Sequence, residues 1–273
     1  MLNTELRNKN TLHIDKMSTA EMVETLHKEN EHCLTAVKKA LPSLTKAIDD
    51  IFPRMQSGGR LFYVGCGTSG RLGVLDASEC PPTFGIAPNV VIGIIAGGDE
   101  ALRYAVESAE DNAENAVSDL KNYNLTANDS VVGISAAGGA AYVTSALHYA
   151  KTLGCYTVAL VCNQNTPMEK IADTTVISET GAEPITGSTR MKAGTAQKLL
   201  LNTLSSSLMI KLGYVYENLM INLRPTNSKL KDRSIRITAE LLRILPVKAE
   251  DYLQRSDWNI RNAISLYQRE NKE

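Results

Sequence analysis

The chain has only five cysteines in 273 residues, Cys33, Cys66, Cys80, Cys155 and Cys162, and no two of them form a C-x-x-C pair. An odd, scattered set of this kind offers neither a disulfide framework nor a zinc site. No apolar run approaches the roughly 18 residues of a membrane span, and the polar opening MLNTELRNKNTLHIDKM lacks the apolar core of a signal peptide. An excess of one charge is missing too. The 29 Lys and Arg against 30 Asp and Glu leave a formal net charge of −1, so no bulk field draws the chain to nucleic acid or an anionic membrane. Repeats and low-complexity linkers are absent. These absences predict a cytoplasmic protein with no nucleic-acid or membrane partner.

What is present is an alternation. Short runs rich in Val and Ile at 60–65, 90–96, 130–135, 156–162 and 174–178 read as strands covered on both faces. Helical patterns lie between and after them at 70–80, 100–122, 141–153, 167–172 and about 190–212. Strands separated by helical crossovers predict an α/β fold with a doubly wound parallel sheet of about five strands. Upstream, residues 19–40 show helical periodicity, and Pro42 is placed to open a second helix running to about Met55 before Gly58-Gly59. The tail from Pro225 reads as helices with charged faces. Three parts are therefore expected: 1–57, helices packing on the core; 58–224, the α/β domain; and 225–273, a small helical appendage. Ligands of such sheets sit at the carboxyl ends of the strands, so the loops at 65–70, 97–100, 135–140 and 180–190 are the places to search.

The first of these loops, in LFYVGCGTSGRLG, spaces Gly65, Gly67 and Gly70 as G-x-G-x-x-G. A strand before and a helix after fit a dinucleotide site. Yet the acidic residue expected about 20 residues on to hold a ribose is missing, since Asp99 comes much later. Thr68 and Ser69 add hydroxyl donors to the backbone amides, which suits the three oxygens of a phosphate monoester. A tight turn without ligand is the third alternative, and the motif alone leaves all three open.

Two carboxylates fall in unusual places. In SGRLGVLDASECPP a helical period stacks Glu79 above Leu75 and Leu72 on an apolar stripe. A desolvated Glu there would be a raised-pKa general acid, whereas a helix-end Glu would ordinarily reach solvent. Read as one helix, 100–122 has a stripe through Leu102, Val106, Ala109, Ala113, Ala116 and Leu120. Glu110 then falls about 80° from the stripe centre, at its buried edge, and Asp111 and Glu114 on the solvated face. The plainer alternative is a boundary Glu turned outward.

The densest stretch is ETGAEPITGSTRMKAGTAQK at 179–198. Arg190 and Lys192 stand near a helix N-terminus, where the macrodipole disfavours cations. A bound anion would resolve this, and so would pairing with Glu179 or Glu183.

The segments GRLFYVGCGTSGRLGVLDASECPPTFG, IAGGDEALRYAVESAED and GSTRMKAGTAQKLLLNTLSS closely resemble the N-acetylmuramic acid 6-phosphate etherases, over about residues 3–243. These belong to the sugar isomerase (SIS) superfamily, with the glucokinase regulatory protein as a distant relative. The resemblance implies a cofactor-free lyase that releases D-lactate and N-acetylglucosamine 6-phosphate in cell-wall recycling. It implies catalytic roles for Glu79 and Glu110. Gly67, Thr68, Ser69, Ser135, Gly138, Ser188, Thr189 and Lys192 are the expected substrate- and phosphate-binding residues, with no metal, and Lys192 is the candidate donor to the enolate oxygen. Relatives commonly dimerise, so a homodimer is expected.

One loop departs from the family. GISAAGGAAYV stands where the family has Ser-Gly, Arg or Asn, then Thr-Pro-Tyr-Val, whose hydroxyls help hold the phosphate; the matching positions here are Ala137, Gly138, Gly139, Ala140 and Ala141, and Ser135 is the only hydroxyl before Tyr142. Two lost phosphate bonds would cost on the order of 1.5–3 kcal/mol each. The tail after about Leu242 is also shorter than usual for the family. A sugar-phosphate-binding regulator, or an etherase-like enzyme of altered preference, is the alternative function.

Overall fold

Five strands form at the short apolar runs: β1 (Leu61–Gly65), β2 (Val91–Ile95), β3 (Ser130–Ser135), β4 (Tyr156–Val161) and β5 (Thr174–Ile177). All pairings are parallel, in the order β2-β1-β3-β4-β5. β1, β3 and β4 are buried at every residue, which explains why they read as continuous apolar runs rather than alternating ones. This computed structural model describes residues 1–222, 225 and 227–271.

Contacts gather the chain into two compact units. The first comprises Met1–Ala77 and Asn89–Ser205, and the second Ser78–Pro88 and Ser206–Glu273. The expected boundary at 224/225 touches Arg224, which lies outside the described residues.

The first unit opens with short 3-10 turns and then α1 (Thr19–Gln56). A capping box starts this helix, with Ser18 accepting from Glu21 N and the Glu21 side chain returning to Ser18 N. Pro42 does not open a second helix; α1 runs through it without a break. The reason is packing. Cys33, Ala36, Ala40, Leu44, Ala47, Ile51 and Met55 keep one face buried on both sides of Pro42, which is itself exposed. One backbone bond lost on the solvent side does not outweigh that burial.

α2 (Gly67–Phe84) follows β1 and α5 (Ala141–Thr152) follows β3. The stretch expected as one helix at 100–122 is instead α3 (Glu100–Arg103), a 3-10 turn at Ala109–Asp111, and α4 (Ala113–Lys121). Ser108 takes a left-handed φ of 60°, and the Asn112 side chain accepts from Asn115 N to start α4 afresh. Only the last part of the expected stripe, Ala116 and Leu120, is fully buried, against Val143, Ala146 and Leu147 of α5 and the sheet. The short α6 (Pro167–Ile171) precedes β5, and α7 (Lys192–Lys211) follows the loop after it.

In the second unit, α8 (Ser228–Leu242), α9 (Pro246–Gln254) and α10 (Ile260–Glu270) bury Ile237, Leu253, Ile260 and Ala263 together with Ile221. Asn227 and Asn259 cap α8 and α10, and Pro246 sits in the first turn of α9.

Candidate functional site

The strand order itself marks a site. From β1 the chain crosses to β2 on one side, and from β3 to β4 on the other, so the loops leaving β1 and β3 diverge and leave a crevice at their carboxyl ends. Gly65 pairs with Ile134 across these strands, so Cys66 and Ser135 leave the sheet as neighbours.

The three glycines of the first loop have separate tasks. A Cβ on Gly65 would stand 2.7 Å from Gly70 N, and one on Gly70 would stand 2.6 Å from both Gly65 O and Ile95 Cγ1. These two allow the turn and the helix to close on the strands. Gly67 takes φ +50°, and nothing lies within 4 Å of where its side chain would begin. Its backbone is bare toward the crevice, beside the N–H groups of the first turn of α2, which have no intrahelical acceptor.

Hydroxyls gather around that turn. A Cβ on Gly194 would lie 3.2 Å from Thr68 Cγ2 and 3.4 Å from Thr189 O, which brings the start of α7 and the Ser188-Thr189 turn against Thr68. Thr68, Ser188 and Thr189 are half-buried, and their hydroxyls have no hydrogen-bond partner among the described residues. Ser69 is buried and donates to Gln197 Oε1 at 2.9 Å. Ser135 Oγ accepts from Gly138 N at 3.0 Å, leaving its own proton to give. Gly138 has φ +71°, and a Cβ there would strike Thr166 at 2.5 Å. This glycine is demanded by the turn.

The carboxylates sit differently from the helical readings. Glu110 is exposed in the 3-10 turn rather than at the buried edge of a helix. It nevertheless lines a cavity of about 210 Å³ together with Cys66, Gly67, Arg71 and Tyr104. Arg71 steadies this wall by donating to Leu102 O and Tyr104 O. Burial, with the nearby Glu110 and Asp111 carboxylates, pushes the Cys66 thiol up to about 12, so the group beside Gly67 stays neutral. Glu79 is exposed on α2, and so is Leu75, so the stripe proposed through Leu72, Leu75 and Glu79 is not the buried face. That face carries Gly73, Asp76, Ala77 and Cys80. Its buried carboxylate is Asp76, which accepts from Tyr63 Oη at 3.0 Å, Asn202 Nδ2 at 2.6 Å and Ser205 Oγ at 3.2 Å.

Lys192 has a partner inside the protein. The anion that settles the start of α7 is Glu183, whose carboxylate accepts from Lys192 N and Ala193 N at 2.9 Å each. The Lys192 ammonium, 2% exposed, turns instead to Glu29 of α1 at 2.6 Å. Asn8 and Asn10 donate to the same Glu29 carboxylate, while Asn8 Nδ2 and Thr11 Oγ1 hold Ala182 O and Pro184 O. Lys192 is therefore committed to a buried latch between the N-terminal segment and the 179–192 loop. Burial opposes ionisation of Glu29, but Lys192 and the two asparagines hold its carboxyl below the ordinary value. Burial pushes Glu183 above it, against the pull of the two backbone donors. Sequence reasoning named Lys192 and Glu183 but not Glu29, Asn8 or Asn10, because no local pattern marks a pair 163 residues apart.

Among the described residues no group of three or more His, Cys, Asp and Glu side chains is placed to hold a metal ion. A family model for the glucokinase regulatory protein N-terminal SIS domain matches residues 43–151. Solved structures with this fold include a phosphoheptose isomerase from Francisella tularensis, with a TM-score of 0.55 and 16% identity over 71% of this chain and all of that one. Another, from Neisseria gonorrhoeae, has a TM-score of 0.51 and 17% identity over 70% of this chain and 98% of that one. Over nearly the full length, the chain is 52% identical to the N-acetylmuramic acid 6-phosphate etherase of Caldanaerobacter subterraneus, covering 96% of this chain and 86% of the relative. It is 50% identical to that of Clostridium beijerinckii, covering 97% and 87%. Identity at this level over this length shows the family: the chain belongs to the N-acetylmuramic acid 6-phosphate etherases.

Proposed function

We propose that the crevice between the β1 and β3 loops holds the phosphate of N-acetylmuramic acid 6-phosphate, and that the chain cleaves the D-lactyl ether of this sugar. The observation that carries the reading is that Gly67 and Glu110 line one cavity, which sets a carboxylate beside the bare turn at the α2 N-terminus. The first-turn N–H groups and the hydroxyls of Thr68, Ser135, Ser188 and Thr189 supply the donors a phosphate needs, and Ser69 stands in the same turn with its proton given to Gln197. Gly138, in the turn after β3, is the remaining proposed phosphate neighbour.

With the sugar ring open, the C1 aldehyde acidifies the proton on C2. One carboxylate removes it, and a protonated one gives a proton to the lactate oxygen as the C3–O bond breaks. Water then adds across the C2–C3 double bond with the roles reversed, leaving N-acetylglucosamine 6-phosphate and D-lactate. Glu110 and Glu79 are the proposed pair, Glu110 from its cavity and Glu79 from its place in the DASECPP motif of the family. No cofactor enters this scheme. Lys192 is not assigned the enolate oxygen, since Glu29 occupies its ammonium. We place the reaction in the cytoplasm, in cell-wall recycling, with the protein as a homodimer.

The test is to incubate purified protein with N-acetylmuramic acid 6-phosphate and measure D-lactate. Release is expected, and Glu79→Gln and Glu110→Gln are each expected to lower turnover by about 10²-fold or more while sugar-phosphate binding persists. Binding without lactate release would overturn the etherase reading in favour of a sugar-phosphate-binding regulator.

A further inference from the structure

Among the hydroxyls at the crevice, Ser69 alone has spent its proton inside the protein. Its Oγ–H donates to Gln197 Oε1 at 2.9 Å. Gln197 lies on α7 at 1% exposure, among Ala193, Ala196, Leu200 and Leu201. Its Nε2 is buried and has no hydrogen-bond partner among the described residues. Two facts collide here. A buried amide N–H without an acceptor is costly, and a phosphate dianion offers a serine nothing but acceptors. In this arrangement Ser69 faces any phosphate as an acceptor itself.

One rotation removes both conflicts. The two ends of a glutamine amide are nearly the same shape, and turning the amide by 180° exchanges them. Nε2 then donates to Ser69 Oγ, the orphan donor is satisfied, and the serine proton is released toward the first turn of α2. We propose that Gln197 is a positioning residue for the phosphate: with Nε2 turned to Ser69 Oγ, its amide sets Ser69 as an outward donor. This inference rests on the phosphate reading of the Gly67–Ser69 turn given above.

The chemistry makes unlike predictions for two substitutions of similar size. Glutamate at 197 can only accept, so Gln197→Glu locks the serine proton inward. Methionine neither holds nor orients it, so Gln197→Met leaves the proton available to a ligand. Binding of N-acetylglucosamine 6-phosphate is read by calorimetry, with N-acetylglucosamine as the phosphate-free control. Ser69→Ala is expected to weaken the sugar phosphate about tenfold, the size of one charge-assisted hydrogen bond. Gln197→Met stays within about threefold of the parent, since the serine proton is retained. Gln197→Glu weakens binding by about 100-fold alone, and by about tenfold or less in a Ser69→Ala background, where only charge repulsion is left to act. A merely structural role for Gln197 would give Met and Glu similar losses, equal in both backgrounds, and that result overturns the inference. No effect of Ser69→Ala overturns instead the phosphate reading beneath it. Should the variants fail to fold, the side-chain amide resonance of Gln197 in the parent protein decides. It shifts on adding the sugar phosphate and not on adding the free sugar, and an unmoved resonance overturns the inference.

Discussion

Lys192 keeps its ammonium at 2% exposure with one carboxylate, Glu29, as its ion partner, so the energetics of the latch are those of a buried pair. Removing one member strands a charge, at a cost of about 3–5 kcal/mol. Glu29→Gln is therefore expected to lower the urea midpoint steeply, and Glu29→Gln combined with Lys192→Met to recover most of the loss, because no unpaired charge remains. The pH dependence has a definite sign. Glu29 titrates below its ordinary 4.5 in the folded chain, so its contribution is complete above pH 4.5 and is lost as pH falls through the folded value. Glu183 is shifted the other way. Between pH 4.5 and its folded value the native state holds the extra proton, so that contribution declines as pH rises. Thermal unfolding followed from neutral pH to below 4.5 should show a shallower acid limb in the double variant than in the parent. An unchanged limb would mean that Glu29 does not govern it.

At the scale of elements, α5 begins badly for a helix that points at the proposed phosphate. Its N-cap is Ala140, with φ −54°, ψ 123° and no side-chain cap bond. Ala140→Thr supplies the missing hydroxyl, and Ala141→Pro places proline at the first helical position, where no N–H is needed. Each change suits the backbone already present. The pair is expected to stabilise the chain by about 1 kcal/mol, read as a rise in Tm. It should also tighten N-acetylglucosamine 6-phosphate, since a threonine hydroxyl would join the donors at the crevice. Loss of stability would show that the loop has adapted around its alanines. Elements were legible in proportion to how little they depended on distant partners. The five strands could be read because buried parallel strands are short apolar runs bounded by turn residues. The helix at 100–122 could not, since its apolar spacing carries on through residues 104–112 although Ser108 and Asn112 break the backbone there. Continuous α1 was hidden by Pro42 for the opposite reason, a strong local stop overridden by burial. In the site, the glycine turn and its hydroxyls were visible as a motif, whereas the buried carboxylate of α2 was placed on Glu79 instead of Asp76. Period alone cannot tell which side of a helix meets Tyr63, Asn202 and Ser205.

For the whole molecule, a linear reading can divide a chain only into consecutive pieces, while contacts group residues 78–88 with 206–273. The association of copies is a further property beyond local pattern, and α1 is where it can be tested. Val23, Leu34 and Leu41 are 63%, 65% and 41% exposed. At 100° per residue they fall within about 20° of one another, roughly 90° from the buried stripe of the same helix. These three large apolar side chains share one solvent face of α1. If the proposed homodimer forms through this edge of α1 across a two-fold axis, each substitution is felt twice at one interface. Val23→Glu with Leu34→Glu would set like charges against each other there, at two side chains that are already exposed. Light scattering after size exclusion should give twice the 29.7 kDa chain mass for the parent and the single chain mass for the double variant. A parent that runs at the single mass overturns the dimer. A double variant that stays at twice that mass keeps the dimer but removes this face from it.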